Sequence, residues 1–469
     1  MRSTDQAPPP AIVPAAVPMP RSIDAGLRGL TTAADHGVLW FGIAAVGVLA
    51  GGRARRAALR GAASLALSSF VANSVVKPLV GRRRPDPDRT QLARRIGKVP
   101  WTSSFPSGHS ASAAAFATGA ALELPLSATV LGPLAAAVAY SRVHVGVHYK
   151  SDAIVGTAIG AAIAVAGSRL WPVRPHGAAA MAPGDAPALP GGLGLTIVVN
   201  QASGTSDGAQ EALSKMLPQA RIAVWDPENE DLSDLLGSDT SALGVAGGDG
   251  TVASVAQLAH AEDLPLAVFP YGTLNHFAKA MGISDAEQMA AAVVAGTARQ
   301  VDVAMINGQV FLNTASIGGY PDLVRRRDRL SKRIGKWPAA GYALYRTLRH
   351  QSPMDLDIDG RVVPTWVVFI GNGIYRPRGL APAWREDLAT GVLDVQYLRA
   401  DRALARTQAV VLSVLGLIER SRVFVVLEKP RLRITALSGP LATAHDGEVT
   451  DPVSEVDLSI DRRQLTVYH

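Results

Sequence analysis

The sequence predicts an N-terminal all-α bundle of transmembrane helices, followed by an α/β lobe and a β-rich lobe. Apolar runs rich in Ala and Gly dominate residues 37–170, whereas short apolar strand candidates begin at residue 196 and alternate with helical stretches. From about residue 301 onward, strand signals dominate. Hydrophobic residues make up 48% of the 469 residues, which is high for a wholly soluble chain and indicates membrane spans.

Composition places the domain boundaries. Residues 172–194 hold five prolines and five glycines with almost no charge, which predicts a linker. Residues 1–21 are rich in Pro and Ala, lack the continuous apolar region of a signal peptide, and are predicted to be disordered. The remaining predicted segments are a membrane domain at 22–171 and a second domain at 195–469, divided into an α/β lobe at 195–300 and a β-rich lobe at 301–469.

Five apolar runs are candidates for membrane-spanning helices, at about 37–52, 57–80, 110–122, 124–140 and 153–170. Several are shorter than the ~20 residues that cross a bilayer, but weakly polar ends can lengthen each of them. Their Ala and Gly content suits close helix packing in lipid. A soluble all-α bundle with buried helices is the alternative.

The formal net charge of +7 makes nucleic acid the first partner to consider. The arginines of the first half are dispersed among apolar runs, however, which favours anionic lipid and phosphate-bearing substrates and argues against nucleic acid. The chain has no cysteine, which excludes a disulfide framework, a thiolate metal site and a cysteine nucleophile.

The first half carries a set of residues suited to removing a phosphate. His148 and Asp152 are four positions apart and share one face of a helix, so the carboxylate can orient the imidazole and leave one ring nitrogen free to attack. His109 opens another predicted helix and can protonate a leaving oxygen. Positive charge for the phosphate oxygens comes from Lys77, Arg84 and Arg142.

Other charged residues nearby have less specific interpretations. A lone histidine is more often structural than catalytic, and His144 is interpreted as structural support or as a substrate contact. The arginines at 82, 83, 94 and 95 are interpreted as a solvated or headgroup-facing charge run.

Three motifs, Lys-x6-Arg-Pro from Lys77, Pro-Ser-Gly-His ending at His109 and Ser-Arg-x5-His-x3-Asp ending at Asp152, resemble the type 2 phosphatidic acid phosphatase superfamily. The resemblance covers about 22–171. It implies His148 as a nucleophile that forms a phosphohistidine, Asp152 as its orienting group, His109 as general acid, and no metal cofactor. The implied phosphate-binding residues are Lys77, Arg84, Ser107, Gly108 and Arg142. The family includes soluble acid phosphatases and vanadium haloperoxidases, so a phospholipid monoester and an isoprenyl pyrophosphate both stay open as substrates.

The second half carries two glycine-rich loops, each between a predicted strand and a predicted helix. Gly247-Gly248-Asp249-Gly250-Thr251 lets a backbone approach a nucleotide phosphate at a helix N-terminus, and Asp249 can hold Mg²⁺ through water. The segment 271–275 repeats the arrangement one unit later. One such loop alone is more often an ordinary tight turn, but two at consecutive strand ends indicate a nucleotide site.

These loops resemble the diacylglycerol kinase catalytic domain over about 195–469. The resemblance implies ATP and Mg²⁺ as cofactors, Asp249 and Asp394 as metal ligands, and Glu448 as the base that accepts a lipid hydroxyl proton; a surface-turn carboxylate is the alternative for Glu448. The implied nucleotide-binding residues are Asn200, Gly247, Gly248, Gly250, Thr251, Gly272, Thr273 and Asn275. The chain departs from the family pattern at Gln201, where Pro is usual, and at Thr390, where Asp is usual; the second departure puts a structural cation site in doubt.

Loop charge predicts how a multi-pass chain lies in the cell membrane. The Arg-rich loop at 53–60 is predicted to be cytoplasmic, which with five spans puts the three motifs of the first half on the extracytoplasmic face and the second domain in the cytoplasm with ATP. The loop at 81–98 is also rich in Arg and runs against this assignment.

Together these patterns predict a bifunctional lipid enzyme. One site dephosphorylates a lipid such as phosphatidic acid, and the other phosphorylates a lipid alcohol such as diacylglycerol, with membrane lipids and ATP as partners. Two alternatives are a kinase-like half that regulates the phosphatase as a lipid or nucleotide sensor, and a first half that is only an anchor. The sequence carries no signal for the oligomeric state.

Overall fold

A computed structural model of the chain forms two compact units, Met1–Val173 and Arg174–His469. It describes residues 20–86, 102–175, 177–200, 206–319, 326, 329–330, 336–379 and 382–469. Nearly all of the segment that the sequence predicts to be disordered, residues 1–21, lies outside this description.

The first unit is all-α, as predicted. Its helices are α1 (Arg21–Ala33), α2 (Val38–Ala50), α3 (Gly52–Phe70), α4 (Lys77–Val80), α5 (Gly108–Glu123), α6 (Ala128–His144) and α7 (Lys150–Leu170). Helix α5 is mostly buried and packs against α3, α6 and α7. Small residues permit this packing: a Cβ at Gly160 of α7 would overlap the Ala111 carbonyl of α5, so only glycine allows the two backbones to approach so closely.

Three helices of the described residues are long and apolar enough to cross a membrane: Gly52–Val80, Pro125–His144 and Lys150–Leu170. The pair Arg21–Ala33 and Asp35–Ala50, bent by 63°, makes a fourth if it counts as one span. The sequence predicts five. The difference lies in α5, whose 16 residues reach about 24 Å at ~1.5 Å per residue, less than a ~30 Å hydrocarbon core.

A buried ion cluster closes the C-terminal end of α5. Glu123 accepts hydrogen bonds from Arg56 Nε at 3.1 Å and from Arg60 Nη2 at 2.6 Å, and Arg60 is buried. Arg60 also donates to the Pro172 carbonyl at 3.1 Å, and its guanidinium lies 4.8 Å from the ring centroid of Trp171. The cluster therefore ties α3, α5 and the chain beyond α7 together.

The second unit begins with the predicted α/β lobe. Its strands are β1 (Ala182–Asp185), β2 (Leu195–Asn200), β3 (Arg221–Trp225), β4 (Ala242–Ala246) and β5 (Leu266–Phe269), and its helices are α8 (Ser206–Met216), α9 (Asp249–Ala261), α10 (His276–Met281) and α11 (Ala286–Ala295). β3, β2, β4 and β5 form a parallel sheet in that order. β4 and β5 are buried throughout, as apolar runs in a covered parallel sheet should be.

The predicted β-rich lobe follows. Its strands are β6 (Thr297–Ile306), β7 (Gln309–Phe311), β8 (Thr314–Gly318), β9 (Met354–Ile358), β10 (Arg361–Asn372), β11 (Tyr375–Arg376), β12 (Trp384–Arg385), β13 (Leu393–Arg399), β14 (Phe424–Lys429), β15 (Arg431–Ala436), β16 (Leu441–His445), β17 (Glu448–Val453) and β18 (Glu455–Tyr468). Helices α12 (Lys336–His350) and α13 (Ala405–Val414) also belong to it. β18 pairs antiparallel with β6 and meets β5 at Val467, which joins the two lobes in one sheet. The predicted fold class is confirmed.

The segment 172–194 differs from the linker that its composition predicts. Ala182–Asp185 forms β1, which pairs antiparallel with Thr297–Gln300 of β6. Ala179 and Leu189 are buried in the core of the α/β lobe. Prolines exclude a helix and a central strand, but β1 pairs with β6 alone in the described residues and so tolerates Pro183 at an edge.

Candidate active sites

The three motifs of the first unit meet at the N-terminal end of α5. His148 lies in the turn before α7 and Asp152 in its first turn; His148 Nδ1 is 3.6 Å from Asp152 Oδ2, and both side chains are buried. The Tyr149 N–H donates to Asp152 Oδ2 at 2.9 Å, which fixes the carboxylate. The four-residue spacing therefore places the two side chains together, although the separation is longer than a hydrogen bond.

Arg84 lies against the other edge of the His148 ring. Its Nη1 is 3.3 Å from His148 Nε2 and donates to the Val147 carbonyl at 2.8 Å, while its Nε donates to the Thr102 carbonyl at 2.9 Å. These backbone acceptors hold the guanidinium in place. The arrangement leaves Nε2 as the ring nitrogen that faces the cationic side of the site.

The His148 ring is neutral at physiological pH. Burial, together with the charges of Arg84, Arg142 and Lys77, lowers the pKa of His148 to about 2. Arg84 is the cation in direct contact with the ring, at 3.3 Å from Nε2. A neutral nucleophile beside excess positive charge is suited to a phosphate group.

Arg142 has a buried N–H group that is available to an anion. Its side chain is 1% exposed, its Nη1 donates to Thr31 Oγ1 at 2.8 Å, and its buried Nε has no hydrogen-bond partner among the described residues. Lys77 donates to Asn73 Oδ1 at 2.7 Å. An unpaired buried N–H is costly, and a phosphate oxygen would satisfy it.

The Pro-Ser-Gly-His motif lies at the start of α5. Ser107 caps α5, its hydroxyl accepting from the Ser110 hydroxyl at 2.9 Å, and its N–H donates to the Asp152 carbonyl at 3.0 Å. A Cβ at Gly108 would lie 2.9 Å from Oδ1 of Asn73, the residue that accepts a hydrogen bond from Lys77, so Gly108 packs closely against that side chain. The Pro-Ser-Gly-His motif thus contacts the segments of both other motifs.

Two residues that sequence reasoning missed complete this site. Asp35 Oδ1 lies 2.7 Å from His109 Nε2 and 3.8 Å from Arg142 Nη1. Arg82, interpreted as solvated or headgroup-facing, instead pairs with Asp152 Oδ1 at 2.8 Å. Asp35 lies outside every motif, and no sequence signal points to it.

His144 has a structural environment. Its Nε2 is 2.7 Å from Asp24 Oδ1, and both residues are buried. Of the two interpretations that the sequence left open, this contact favours structural support, because it holds α6 against α1.

In the second unit, Asn200 at the end of β2 lies beside the glycine-rich loops that follow β4 and β5. The Asn200 amide donates to Thr251 Oγ1 at 2.8 Å. A Cβ at Gly272 would lie 2.6 Å from the Gly247 carbonyl and 2.8 Å from Gly248 Cα, so the two glycine-rich loops are in contact. Thr273 and Asn275 continue the second loop, and Asn275 donates to the Pro270 carbonyl at 3.0 Å. The predicted nucleotide-binding residues are therefore brought together.

Glu448 reaches the first of these loops from the β-rich lobe. A Cβ at Gly250 would collide with the Glu448 carboxylate, and both residues line one cavity of about 450 Å³. Asp446 fixes the turn before it by accepting backbone N–H groups of Leu312, Asn313 and Thr314 at 2.7, 2.9 and 3.0 Å. Burial, opposed by these hydrogen bonds, raises the pKa of Asp446 to about 6.

The two carboxylates predicted as metal ligands have different surroundings. Asp249 Oδ1 accepts the His276 N–H at 2.9 Å, which leaves its other oxygen for a water-mediated contact. Asp394 is fully buried and accepts from the Tyr375 N–H at 3.0 Å and the Gln396 amide at 2.7 Å. Both donors contact Oδ2, whereas the buried Oδ1 has no hydrogen-bond partner among the described residues and lies 3.7 Å from Arg378 Nε. The assignment of Asp394 as a metal ligand therefore stays a prediction.

The region around Thr390 lacks the features of a cation site. The buried Asp302 carboxylate accepts the N–H groups of Gly391 and Arg463. Within the described residues, no three His, Asp or Glu side chains are grouped so that they could hold a metal ion. The departure at Thr390 therefore coincides with a carboxylate that backbone donors already satisfy.

Comparison with known families agrees with this division. A family model for the PAP2 superfamily matches residues 57–175, and one for the diacylglycerol kinase catalytic domain matches residues 194–306. A decaprenylphosphoryl-5-phosphoribose phosphatase of Mycobacterium tuberculosis is 38% identical over 141 residues, covering 29% of this chain and 73% of the relative. A probable lipid kinase YegS-like of Pseudomonas aeruginosa is 32% identical over 232 residues, covering 46% and 73%. A diacylglycerol kinase of Bacillus subtilis is 32% identical over 165 residues, covering 33% and 54%.

The fold and the motifs therefore define a two-part protein of phosphatase-type and lipid-kinase-type domains. The chain belongs to the PAP2 superfamily through its first unit and to the diacylglycerol kinase catalytic domain family through its second.

Proposed function

We propose that this chain is a bifunctional membrane lipid enzyme that dephosphorylates one lipid and phosphorylates another. The observation that carries the proposal is the assembly of both residue sets. Side chains from Lys77 to Asp152 converge on one cationic site, and Glu448 lies against the loop of Gly250, about two hundred positions earlier.

In the proposed phosphatase reaction, His148 Nε2 attacks phosphorus while the bond to the lipid oxygen breaks, and His109 donates a proton to that oxygen. Arg84, Arg142 and Lys77 hold the phosphate oxygens. Asp152 orients His148 as Asp35 orients His109. Water then attacks the phosphohistidine and gives its proton to His109, which releases inorganic phosphate without a metal.

Two substrate classes suit the phosphatase. One is a phospholipid monoester such as phosphatidic acid. The other is a polyprenyl-linked phosphate, which the relative that acts on decaprenylphosphoryl-5-phosphoribose supports. Both present a phosphate near a membrane surface, so the same cationic site serves either of them.

In the proposed kinase reaction, the loops of Gly247–Thr251 and Gly272–Asn275 hold the ATP phosphates through backbone N–H groups. Asp249 would hold Mg²⁺ through water, and the ion would neutralise charge on the ATP phosphates. Glu448 accepts the proton of the lipid hydroxyl as that oxygen attacks the γ-phosphate. Diacylglycerol is the lipid alcohol that the family suggests.

A specific observation favours a second candidate function, in which the kinase-like half binds lipid or nucleotide and regulates the phosphatase. Asp249 Oδ1 already accepts a backbone N–H, and Asp394 Oδ2 already accepts two hydrogen bonds. Both features would suit a site that binds nucleotide without turnover.

Radiolabelled ATP transfer into a panel of lipid alcohols by the full-length protein in detergent separates these candidates. We expect label in diacylglycerol, reduced about 100-fold or more in Glu448→Gln. His148→Ala is the matched control, because it should keep the kinase and abolish phosphate release from phosphatidic acid and from a polyprenyl-linked phosphate. Binding of ATP with no label in any lipid would contradict the kinase proposal and support the regulatory one.

We also propose that the phosphatase site faces the extracytoplasmic side and that the kinase unit is cytoplasmic. The chain leaves the first unit at Trp171 and Pro172, which contact Arg60 at the Glu123 end of α5. His148 and Asp152 lie at the opposite end of α7. The Arg-rich start of α3 belongs to the same end as Glu123, which supports a cytoplasmic assignment for that end.

Because the chain has no cysteine, single-cysteine labelling tests this topology. Leu126→Cys, in the turn after α5, and Lys150→Cys, at the start of α7, probe the two ends. We expect an impermeant maleimide to label Lys150→Cys in intact cells and Leu126→Cys only after lysis. Equal labelling of both in intact cells would contradict the proposal.

A further inference from the structure

The second unit carries an exposed apolar surface on helices α12 and α13. Tyr342 and Tyr345 of α12 are 49% and 43% exposed. Val411 and Val414 of α13 are 47% and 57% exposed, and Leu415 just beyond it is 51% exposed. These five residues form what we call the α12–α13 surface.

Both helices have apolar residues on two faces, one packed in the core and one exposed. Leu344 and Leu348 of α12 and Ala409 of α13 are buried in a core shared with the sheet. The exposed members follow the helical spacing of three or four positions, so they lie side by side on the face opposite the core. The exposed apolar residues are therefore separate from those that pack in the core.

Positive charge predominates in the two segments that carry this surface. Residues 336–350 and 401–422 contain seven Lys and Arg against two Asp and Glu. One of those acidic residues, Asp401, is already paired with Arg399. An exposed apolar surface with a cationic rim is the composition of a segment that lies on an anionic bilayer.

A groove of about 440 Å³ runs between the two helices at this surface. It is lined by Tyr345, Leu348, Arg349, Arg406, Val410 and Val411, among others. Arg349 Nη1 donates to the Tyr345 hydroxyl at 2.7 Å, so a guanidinium lies at the edge of an otherwise apolar groove. Aromatic rings with polar tips and arginines suit the headgroup region of a bilayer.

We propose that the α12–α13 surface docks the second unit onto a bilayer that contains anionic lipid, with its apolar residues at the headgroup–acyl boundary and its arginines on the phosphates. A second copy of the chain is a poorer occupant, because a two-fold contact would bring the same cationic rim against itself. The same chain carries helices long enough to span a membrane, which keeps a bilayer available. This inference is independent of whether either active site turns over.

The test uses the full-length chain in lipid nanodiscs. Val411→Cys is labelled with an environment-sensitive fluorophore, and nitroxide-labelled lipids act as the quencher. Val362→Cys is the matched control, since Val362 is 62% exposed on β10 of the same unit and outside the proposed surface. We expect quenching of about twofold or more at position 411 in discs with phosphatidylglycerol, and little at position 362.

Charge reversal at Arg349→Glu with Arg406→Glu should remove the quenching at position 411, with the melting temperature checked to show that the protein is folded. Equal quenching at positions 411 and 362 would overturn the proposal, as would quenching that ignores the charge reversal. Disulfide formation between two Val411→Cys chains in detergent, with no quenching in discs, would identify a second copy as the occupant and also overturn it.

Discussion

The two ends of α5 hold arginines that differ in their hydrogen bonding. At the Glu123 end, Arg56 and Arg60 share one buried carboxylate. At the Gly108 end, Arg84 and Arg142 act on the neutral His148, with Lys77 adding a third positive charge. Helix α5 thus has two arginines bonded to one carboxylate at one end. At the other end, three cations act on a neutral histidine, and Arg142 lies 3.8 Å from Asp35.

The difference separates arginines that build the fold from arginines that await a ligand. Arg60 bonds to Glu123 through both Nε and Nη2 and adds a carbonyl, whereas Arg142 Nε has no partner among the described residues. Burying charge costs free energy unless it is paired, so the Gly108 end retains its charge at the expense of stability. An anion would remove that cost.

Replacing His148 with Ala should have the largest effect. We expect the phosphatase kcat to fall about 10⁴-fold, equivalent to about 5 kcal/mol, because no other residue at the site provides the attacking nitrogen. Phosphate release from phosphatidic acid measures it, with melting temperature recorded in parallel. A loss below tenfold in folded protein would show that His148 is not the nucleophile.

Glu123→Ala tests the other end of the helix. Removing the shared carboxylate leaves Arg60 buried without its partner, which should lower the free energy of unfolding of the first unit by about 3–5 kcal/mol. Thermal unfolding in detergent measures the loss. The kcat/KM of the protein that remains folded should be unchanged, and a fall comparable to that of His148→Ala would erase the distinction between the two clusters.

Arg142→Gln should reduce kcat/KM about 100-fold, or about 3 kcal/mol, because a buried bond to the phosphate is lost. Inorganic phosphate should raise the melting temperature of the wild type and of Arg56→Gln, the matched change at the Glu123 cluster, but much less that of Arg142→Gln. Equal stabilisation of all three would mean that the unpaired Nε does not face the anion.

The smallest effect concerns pH. Because the folded-state pKa of His148 is lowered, its contribution to stability is complete above about pH 6.5 and declines as pH falls toward its folded pKa. The decline should reach about 1 kcal/mol per pH unit below pH 6. His148→Gln should flatten this part of the stability curve, measured by thermal unfolding from pH 6.5 to 4.5, and an unchanged slope would mean that another group titrates.

Local spacing explains what the sequence could predict. His148 and Asp152 share one helical turn, and the glycine-rich loops follow buried strands, so short-range geometry is sufficient. Asp35 contacts His109, 74 positions away in the sequence, and Arg82 contacts Asp152, 70 positions away. At such separations, the periodicity of the sequence does not indicate which side chains are in contact. The pairing of β1 with β6 was not predicted for the same reason. The Pro and Gly content of a segment does not indicate which strand it pairs with.

The bond from Arg60 to the Pro172 carbonyl has a mechanical consequence. A force applied to the chain from residue 174 onward would act first on the contacts of Trp171, Arg60 and Glu123, at one end of the helical bundle. The force would have to break the hydrogen bond from Arg60 to Pro172 before it could displace the start of α7, which positions His148 and Asp152. The hydrogen bond therefore protects the geometry of His148 from forces on the chain that leaves the helical bundle.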